Sequence, residues 1–326
     1  MRQNCHKVMV LLAITVSAFL FPTLSGAAPD QIDFEKNDGK GQLTASAAGK
    51  LLFVYNYGEN VDLPHFYPFN TPSGKNLLEE KGTTYPHHRS FWVADTVTRD
   101  GVKGDVYNAY YSGRKIKKQE FKAPFNTGAR HLDFTLTTGT AGTARIEENL
   151  VWETSRTTDT YLLLDEHRDI TVRLLDSGYL MDFTVRLTAT YGDVEFRSDA
   201  VHYAWPFLRI NSDFSVAGGG TLASDSGTTG QLNTNLRPAL WIDYSNTVQG
   251  LTEGVAMLQW PDGPPRLWLT RDYGTFGPRR PEHQSGKPFT LARGESLQQR
   301  VGIFVHSGDA SIVPAIYQRF IKGEMK

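Results

Sequence analysis

Regular alternation of apolar and polar residues is the feature that most limits the folds open to this chain. The alternation runs through residues 170–174 and again through 181–188. Successive side chains of a β-strand point to opposite faces, so each run gives one apolar and one polar face. Ser177 and Gly178 lie between the two runs and favour a turn. The segment 169–191 is therefore predicted to be an antiparallel hairpin.

Further strand patterns occur along the chain, separated by short clusters of Gly, Pro, Asn and Asp, at residues 50–57, 145–153, 160–165, 255–260, 266–270 and 299–306. No long helical pattern lies between them, which argues against a parallel βαβ sheet. The stretch 212–230 is rich in Gly, Ser and Thr and is predicted to be a long loop or a hairpin that crosses a sheet edge. One helical pattern, between Ile312 and Phe320, closes the chain, with Asp309 or Ser311 as its cap. The prediction is an all-β fold, a large antiparallel β-sandwich with a short C-terminal helix; a mutarotase-like supersandwich is one such form.

The first 27 residues have the pattern of a secretory signal peptide. Arg2 and Lys7 precede an apolar segment at 8–21, and small residues at 25–27 form a cleavage signal. Cleavage after Ala27 would leave a single β-domain over 28–326, in the periplasm or outside the cell. The apolar segment is short for a membrane anchor, so no membrane partner is expected after cleavage. The single cysteine, Cys5, lies in the leader, so the mature chain has no disulfide and no thiolate metal site.

The charge pattern gives no sign of a nucleic-acid partner. The chain has 34 Lys and Arg against 35 Asp and Glu, and the basic residues are scattered. The densest basic run lies at 115–122 and is interpreted as a solvated loop or an edge strand. Composition leaves the oligomeric state open.

Two adjacent histidines followed by an arginine, His87-His88-Arg89, form the strongest candidate site. A strand would send the two histidines to opposite faces, whereas a loop could use both, and loops often carry function. Histidine can move a proton or bind a metal, and arginine offers a rigid fork for carboxylate, sulfate or phosphate groups. The alternative is structural: one histidine caps a turn and Arg89 pairs with a surface acid.

Three further clusters could complete a pocket. The aromatic loop at 66–74 could line a site or plug the end of the sandwich, the segment 201–209 places aromatics between a histidine and an arginine, and the segment 268–278 ends a strand in a glycine turn. Each could instead be core or turn structure. The predicted catalytic residues are His87, His88 and Asp272. The predicted substrate-binding residues are Arg89, Trp92, Tyr67, His202, Arg209 and Tyr273.

Metal-binding patterns are sparse in this sequence. It contains no His-x-x-x-His, no His-x-His and no Asp-rich calcium loop. No cofactor is therefore predicted, and the alternative of a bound metal rests on His87 and His88 alone.

Several motifs together are similar to an uncharacterised bacterial family that carries the automatic label "methane oxygenase PmoA-like". The resemblance rests on Thr71-Pro72-Ser73-Gly74, Pro86-His87-His88-Arg89, Arg271-Asp272-Tyr273-Gly274, Phe276-Gly277-Pro278 and Val305-His306-Ser307-Gly308-Asp309, and it covers most of the mature chain. It implies an exported all-β domain from polysaccharide-degrading bacteria, with the motif positions clustered at one site. A methane monooxygenase subunit would have many apolar spans, which this sequence lacks. The family usually has Asp before Pro-His-His and Gly after the following residue, where this chain has Tyr85 and Ser90.

The leading hypothesis is an exported protein that recognises a carbohydrate and acts on it by acid–base chemistry of the hydrolase or isomerase type. His87 or His88 would be the acid or base, Asp272 its carboxylate partner, and Arg89 or Arg209 a clamp for an anion or hydroxyl. A non-catalytic sugar-binding or cell-surface module is the second hypothesis, and a histidine-bound metal protein is the third.

Overall fold

The computed structural model describes residues 31–118, 120–139, 142–156, 159–197, 204–280 and 288–324. Antiparallel strands dominate these ranges. In chain order the strands are β1 (Ile32–Asn37), β2 (Gln42–Ala47), β3 (Lys50–Asn56), β4 (His65–Phe69), β5 (Phe91–Trp92), β6 (Thr96–Arg99), β7 (Val102–Asp105), β8 (Gly113–Ile116), β9 (Glu120–Phe125), β10 (Thr127–Thr138), β11 (Thr143–Arg156), β12 (Asp159–Leu175), β13 (Gly178–Thr188), β14 (Val194–Phe196), β15 (Phe207–Arg209), β16 (Thr221–Ser224), β17 (Trp241–Val248), β18 (Leu251–Gln259), β19 (Trp268–Thr270), β20 (Thr275–Pro278), β21 (Phe289–Leu291) and β22 (Ser296–Ser307). The α-helices are α1 (Gly230–Thr234) and α2 (Val313–Ile321), and short 3₁₀ turns lie at Val106–Ser112, Val216–Gly218 and Ala310–Ile312.

An eight-stranded sheet with the order β10-β11-β12-β13-β22-β18-β17-β16 forms the centre of the molecule. The predicted hairpin is confirmed, since β12 pairs antiparallel with β13 and Val172 lies opposite Met181. Gly178, the first residue of β13, has a φ of +150°, and a Cβ there would lie 2.0 Å from the Val305 carbonyl oxygen. This position therefore requires glycine.

The sheet is buried on both faces where helix α2 covers it. Val185 and Leu187 of β13 lie in the main core, whereas Leu180 of the same strand packs in a second cluster with Phe304 and the C-terminal helix α2. The strict alternation of β13 is thus lost where α2 covers the outer face. The predicted C-terminal helix is confirmed, and the Asp309 carboxylate caps the preceding 3₁₀ turn by accepting a 3.0 Å hydrogen bond from the Ser311 amide.

Three four-stranded sheets and one hairpin complete the architecture. Their strand orders are β1-β2-β3-β4, β21-β14-β6-β7, β19-β20-β15-β5 and, for the hairpin, β8-β9. Apolar side chains from the three four-stranded sheets and the eight-stranded sheet join one buried cluster. The basic run at 115–122 forms the exposed β8–β9 hairpin, as interpreted from the sequence.

The predicted fold class, an all-β antiparallel sandwich with a short C-terminal helix, is confirmed. Residues 212–230, expected to be a long loop or a hairpin that crosses a sheet edge, contain β16, the edge strand of the central sheet. Helix α1 follows this segment and was not predicted. In the part of the chain that the structure describes, no helix is long and apolar enough to cross a membrane. The division into a leader at 1–27 and one domain at 28–326 stays a prediction.

Candidate functional site

The small sheet β19-β20-β15-β5 brings three distant segments together at one end. Leu208 of β15 pairs with Phe91 of β5, and Arg209 pairs with Thr275 of β20. The Arg209 amide donates a 2.7 Å hydrogen bond to the carbonyl of Ser90, the residue that follows His87-His88-Arg89. The His-His-Arg loop, Arg209 and the glycine turn before β20 therefore meet at this sheet end.

His88 lies in the interior of this meeting point. It is 5% exposed, its Nε2 lies 3.1 Å from the Tyr107 hydroxyl, and its Nδ1 lies 3.4 Å from the Thr275 hydroxyl. The Tyr85 ring stacks on the His88 ring, with 4.9 Å between centroids and 18° between planes. These contacts fix the plane of the imidazole and make His88 a positioned group with little access to solvent.

His87 lies beside it and is partly exposed. Its Nδ1 lies 3.2 Å from the hydroxyl of Tyr111, a side chain with 44% of its surface exposed. The two imidazole rings are 4.5 Å apart. Tyr85 also contacts the ring of Tyr273 at 5.3 Å, and both are partly exposed. We call Tyr85, His87, Tyr111 and Tyr273 the tyrosine–histidine surface.

Arg209 holds one side of this surface in place. Its guanidinium binds the Glu79 carboxylate at 2.8 and 2.9 Å, donates to the Tyr273 carbonyl at 2.8 Å and lies 4.5 Å from the centre of the Tyr273 ring. Its Nη1 also donates to the Thr275 hydroxyl at 3.3 Å. Burial, with the neighbouring Tyr85, raises the pKa of Tyr273. Arg209 therefore orients Tyr273, and its fork is already occupied by protein groups.

Arg89 points away from the surface, into the protein. It is 1% exposed and binds the buried Asp62 through Nε at 2.7 Å and through Nη2, while Nη1 lies 3.5 Å from Glu80. Burial opposes ionisation of Glu80, but the hydrogen bond and charge of His65, with Lys81 and Arg89, lower its pKa to about 2. The structural alternative was that Arg89 pairs with a surface acid. Arg89 does pair with an acid, but that acid, Asp62, is buried.

Trp92 belongs to the core. It is 1% exposed and stacks on Phe207 at 4.7 Å between ring centroids. A ring without accessible surface cannot stack on a ligand, so we place Trp92 in the packing of the small sheet. Tyr67 of β4 also packs against the main core, and its carbonyl accepts a 2.7 Å hydrogen bond from Asn56.

Asp272 lies beside the start of α1. Its carboxylate accepts a 2.8 Å hydrogen bond from the Gln231 amide, and its own amide donates to the Gln231 side chain at 3.0 Å. Among the described residues it makes no hydrogen bond to His87 or His88, contrary to the expected partnership. His202 lies outside the described residues, so its role stays a prediction.

Sequence reasoning missed several groups at the site. Tyr107 and Tyr111 come from the 3₁₀ turn Val106–Ser112, and Glu79 is placed by its amide, which donates to the Arg209 carbonyl at 2.9 Å. No local pattern marks these residues, because only the pairing of distant segments brings them to the histidines. The sequence indicated a site here only through Pro86 and the aromatic residues around the histidines.

Two cavities lie near this end of the molecule. One of about 420 Å³ is lined by Arg89, Tyr110 and the β8–β9 hairpin. The other, of about 940 Å³, is lined by His131, whose Nδ1 lies 2.8 Å from the buried Glu148 carboxylate. The His131 side chain is only 14% exposed. The two cavities share wall residues such as Asn60 and Phe125.

A metal site would need several converging ligands. Within the described ranges, no three side chains of His, Cys, Asp or Glu are grouped so that they could hold an ion. The adjacent histidines instead have the hydroxyl contacts given above.

Known structures give only distant likenesses. A galactose mutarotase-like protein from Clostridium acetobutylicum is 8% identical, with a TM-score of 0.35, and the match covers 86% of this chain and 99% of that one. A galactose mutarotase related enzyme from Lactobacillus acidophilus is 11% identical, with a TM-score of 0.30, and the match covers 86% and 98% of the two chains. A polysaccharide lyase is 10% identical, with a TM-score of 0.36; the match covers 90% of this chain but 35% of the lyase, so this chain spans about a third of its length.

Sequence comparison gives the family. No curated protein matches the chain. The model of a family of unknown function, DUF6807, matches residues 42–315. This agrees with the uncharacterised family expected from the motifs. Since the match covers most of the sequence, the chain belongs to the family of unknown function DUF6807.

Proposed function

We propose that this protein is an exported carbohydrate-recognising protein that binds a sugar on the tyrosine–histidine surface and acts on it by acid–base chemistry. The observation that carries the proposal is the convergence of three partly exposed tyrosines with His87, above the buried His88. Tyrosine rings offer apolar faces for sugar rings, and their hydroxyls can bond to sugar hydroxyls.

The support beneath the surface favours a preorganised site. The stack of Tyr85 on His88 and the cation–π contact of Arg209 with Tyr273 hold two of the rings. Rings that are fixed before binding lose little conformational entropy when a ligand arrives. An open face of held aromatic rings is therefore better suited to a sugar than to a ligand that needs full enclosure.

Proton transfer is assigned to His87, the more accessible of the two histidines. His88 acts as a positioning residue, because its nitrogens contact Tyr107 and Thr275 and its ring contacts His87. The Glu79 carboxylate is linked to His88 only indirectly, through Arg209 and the Thr275 hydroxyl.

A non-catalytic sugar-binding module is the second candidate. It is favoured by one observation: the rings of Tyr85 and Tyr273 lie 5.3 Å apart and are both partly exposed, so they form an aromatic face that could hold a sugar without any chemistry. In this alternative the tyrosines supply the affinity, and the histidines only bond to sugar hydroxyls.

A thermal-shift screen of the mature protein against neutral and acidic sugars and oligosaccharides tests the proposal. A ligand at about 100 times its Kd stabilises a protein by about 2.7 kcal/mol, which is measurable as a shift in Tm. Tyr111→Ala should weaken binding by about tenfold or more, as for a contact residue worth over about 1 kcal/mol. Tyr161→Ala, which removes a tyrosine far along the chain on β12, is the matched control.

The histidine variants separate the two candidates. If His87 transfers the proton, His87→Ala should lower turnover by about 10²–10⁴-fold, while His167→Ala, a partly exposed histidine on β12, leaves it unchanged. Weaker binding in Tyr111→Ala without any product from the wild type would support the binding module. A folded protein that binds no sugar in the panel would contradict both.

A further inference from the structure

We infer that the sugar chain recognised by this protein is acidic, and that its carboxylate or sulfate groups bind in the 420 Å³ cavity beside the β8–β9 hairpin. This inference rests on the proposed function, because it names the chemical class of the ligand and extends its site. It is carried by the charge of the cavity wall, by the pairing of the cations across the hairpin and by the continuity of the cavity with the tyrosine–histidine surface.

The cavity wall is rich in cations. Its lining residues include the cations Lys81, Arg89, Arg114 and Lys122 and one acid, Glu120, while Lys81 and Arg89 pair with acids outside the lining. The hairpin contributes further positive charge through Lys115, Lys117 and Lys118, all of them exposed. A neutral ligand would gain little from these cations, whereas a carboxylate or sulfate would form charge-assisted hydrogen bonds with them.

Two of these cations face each other directly. Arg114 of β8 is the cross-strand partner of Lys122 of β9, and both are exposed lining residues of the cavity. Like charges opposite each other in an antiparallel pair destabilise the hairpin. An anion bound between them would remove this repulsion, so the arrangement favours a ligand over a purely structural role.

The available carboxylates leave part of this charge unpaired. Arg89 is occupied by Asp62 and Glu80, and Lys122 lies 3.1 Å from Glu120 in a solvent-exposed pair. Arg114 has no ion pair among the described residues. Its guanidinium is therefore available to form a two-pronged contact with a carboxylate or sulfate.

Aromatic rings connect the cavity to the proposed sugar surface. Phe121 of β9 lines the cavity and lies 5.5 Å from the ring of Tyr111, which belongs to the tyrosine–histidine surface. Phe121 also lies 5.3 Å from Tyr110, another lining residue. A sugar chain that stacks on Tyr111 could thus continue over Phe121 and place an acidic group between Arg114 and Lys122.

Matched pairs of sugars test the charge requirement. Binding is measured by calorimetry for oligogalacturonate and its full methyl ester, and for dextran sulfate and dextran, so that carboxylate and sulfate are compared with neutral chains of the same backbone. At least one acidic sugar should bind about tenfold or more tightly than its neutral partner. Its affinity should fall from about 0.01 M to about 0.15 M salt, as the Debye length shortens from about 30 Å to about 8 Å.

Charge-neutral variants locate the contact. The double variant Arg114→Gln/Lys122→Gln should bind the acidic sugar about tenfold more weakly. Its Tm should be unchanged or raised, because a repulsive pair is lost. The control Arg293→Gln/Lys50→Gln removes two exposed cations that lie outside the β8–β9 hairpin and should bind as the wild type does.

The outcomes separate the two proposals. Equal affinity for acidic and neutral partners, or unchanged affinity in the Arg114/Lys122 variant, overturns the inference. If neutral sugars bind and Tyr111→Ala weakens them, the proposed function stands while the inference fails. If no sugar binds, both fail.

Discussion

Replacing Arg89 by methionine should lower the free energy of unfolding. This is the most direct test of where the structure places the arginine of the His-His-Arg motif. Arg89 and Asp62 are 1% and 2% exposed, and Arg89 bonds to Asp62 through two of its nitrogens. The second carboxylate oxygen of Asp62 is buried without a hydrogen-bond partner in the structure. Removing Arg89 leaves a buried carboxylate with no other ion-pair partner among the described residues.

The size of the effect follows from this burial. Breaking a buried ion pair by removing one partner costs about 3–5 kcal/mol. For a domain of this size, we expect Arg89→Met to lower Tm by about 6–12 °C. The measurement is thermal unfolding followed by circular dichroism, with urea unfolding for the free energy.

A control variant isolates the effect of burial. Arg145 also bonds a carboxylate through two of its nitrogens, at 2.7 and 2.8 Å to the two oxygens of Asp169, but its side chain is 44% exposed. An exposed pair contributes about 1 kcal/mol or less, so Arg145→Met should change Tm by only a few degrees. Both substitutions remove one guanidinium from a pair with a carboxylate, and the pairs differ most in their burial.

The opposite result would restore Arg89 as a ligand clamp. If Arg89→Met unfolded at the wild-type midpoint but lost affinity for a sugar, our placement of Arg89 would be refuted. The double variant Asp62→Leu/Arg89→Met gives a further check, because loss of both partners should recover part of the lost stability.

Three other predictions concern buried groups. Trp92→Ala should lower the unfolding free energy by about 3–5 kcal/mol, measured in urea, because the ring is buried against Phe207 and its loss leaves a cavity. Unchanged stability with weaker sugar binding would instead place the ring at the ligand. Glu80 has a pKa of about 2 in the folded protein against an ordinary 4.5, so its contribution is present above about pH 4.5 and is lost as the pH falls towards about 2. The stability difference between the wild type and Glu80→Gln should therefore shrink over that window, and a constant difference would contradict the assignment. His306→Ala should cost about 2–5 kcal/mol in the same urea assay, since Asp243, 2.8 Å from His306 and fully buried, would lose its partner; a loss below about 1 kcal/mol would be evidence against a paired charge.

Local patterns were enough for much of the fold. The hairpin β12–β13, the strands β3, β11, β18 and β22 and the helix α2 were predicted because their periodicity records which faces are buried. Strands such as β5 and β15 have only two and three residues, too few to show a period, so the small sheet that builds the site was not predicted.

The candidate site divides in the same way. The composition of the His-His-Arg loop marked His87 and His88 as site residues, and the structure joins them to Arg209 and Tyr273. Sequence could not tell that Arg89 turns inward, since a buried Asp62 that attracts it lies 27 residues away.

The sequence by itself determined the class of the fold and the loop on which function is proposed, because both depend on residue types over short stretches. Only the tertiary structure decided which side chains meet. Trp92 is covered by Phe207, Asp272 is occupied at helix α1, and Tyr111 and Glu79 reach the site from other segments. The physical reason is that burial and partner choice depend on contacts between residues far apart in the chain, which no local pattern contains.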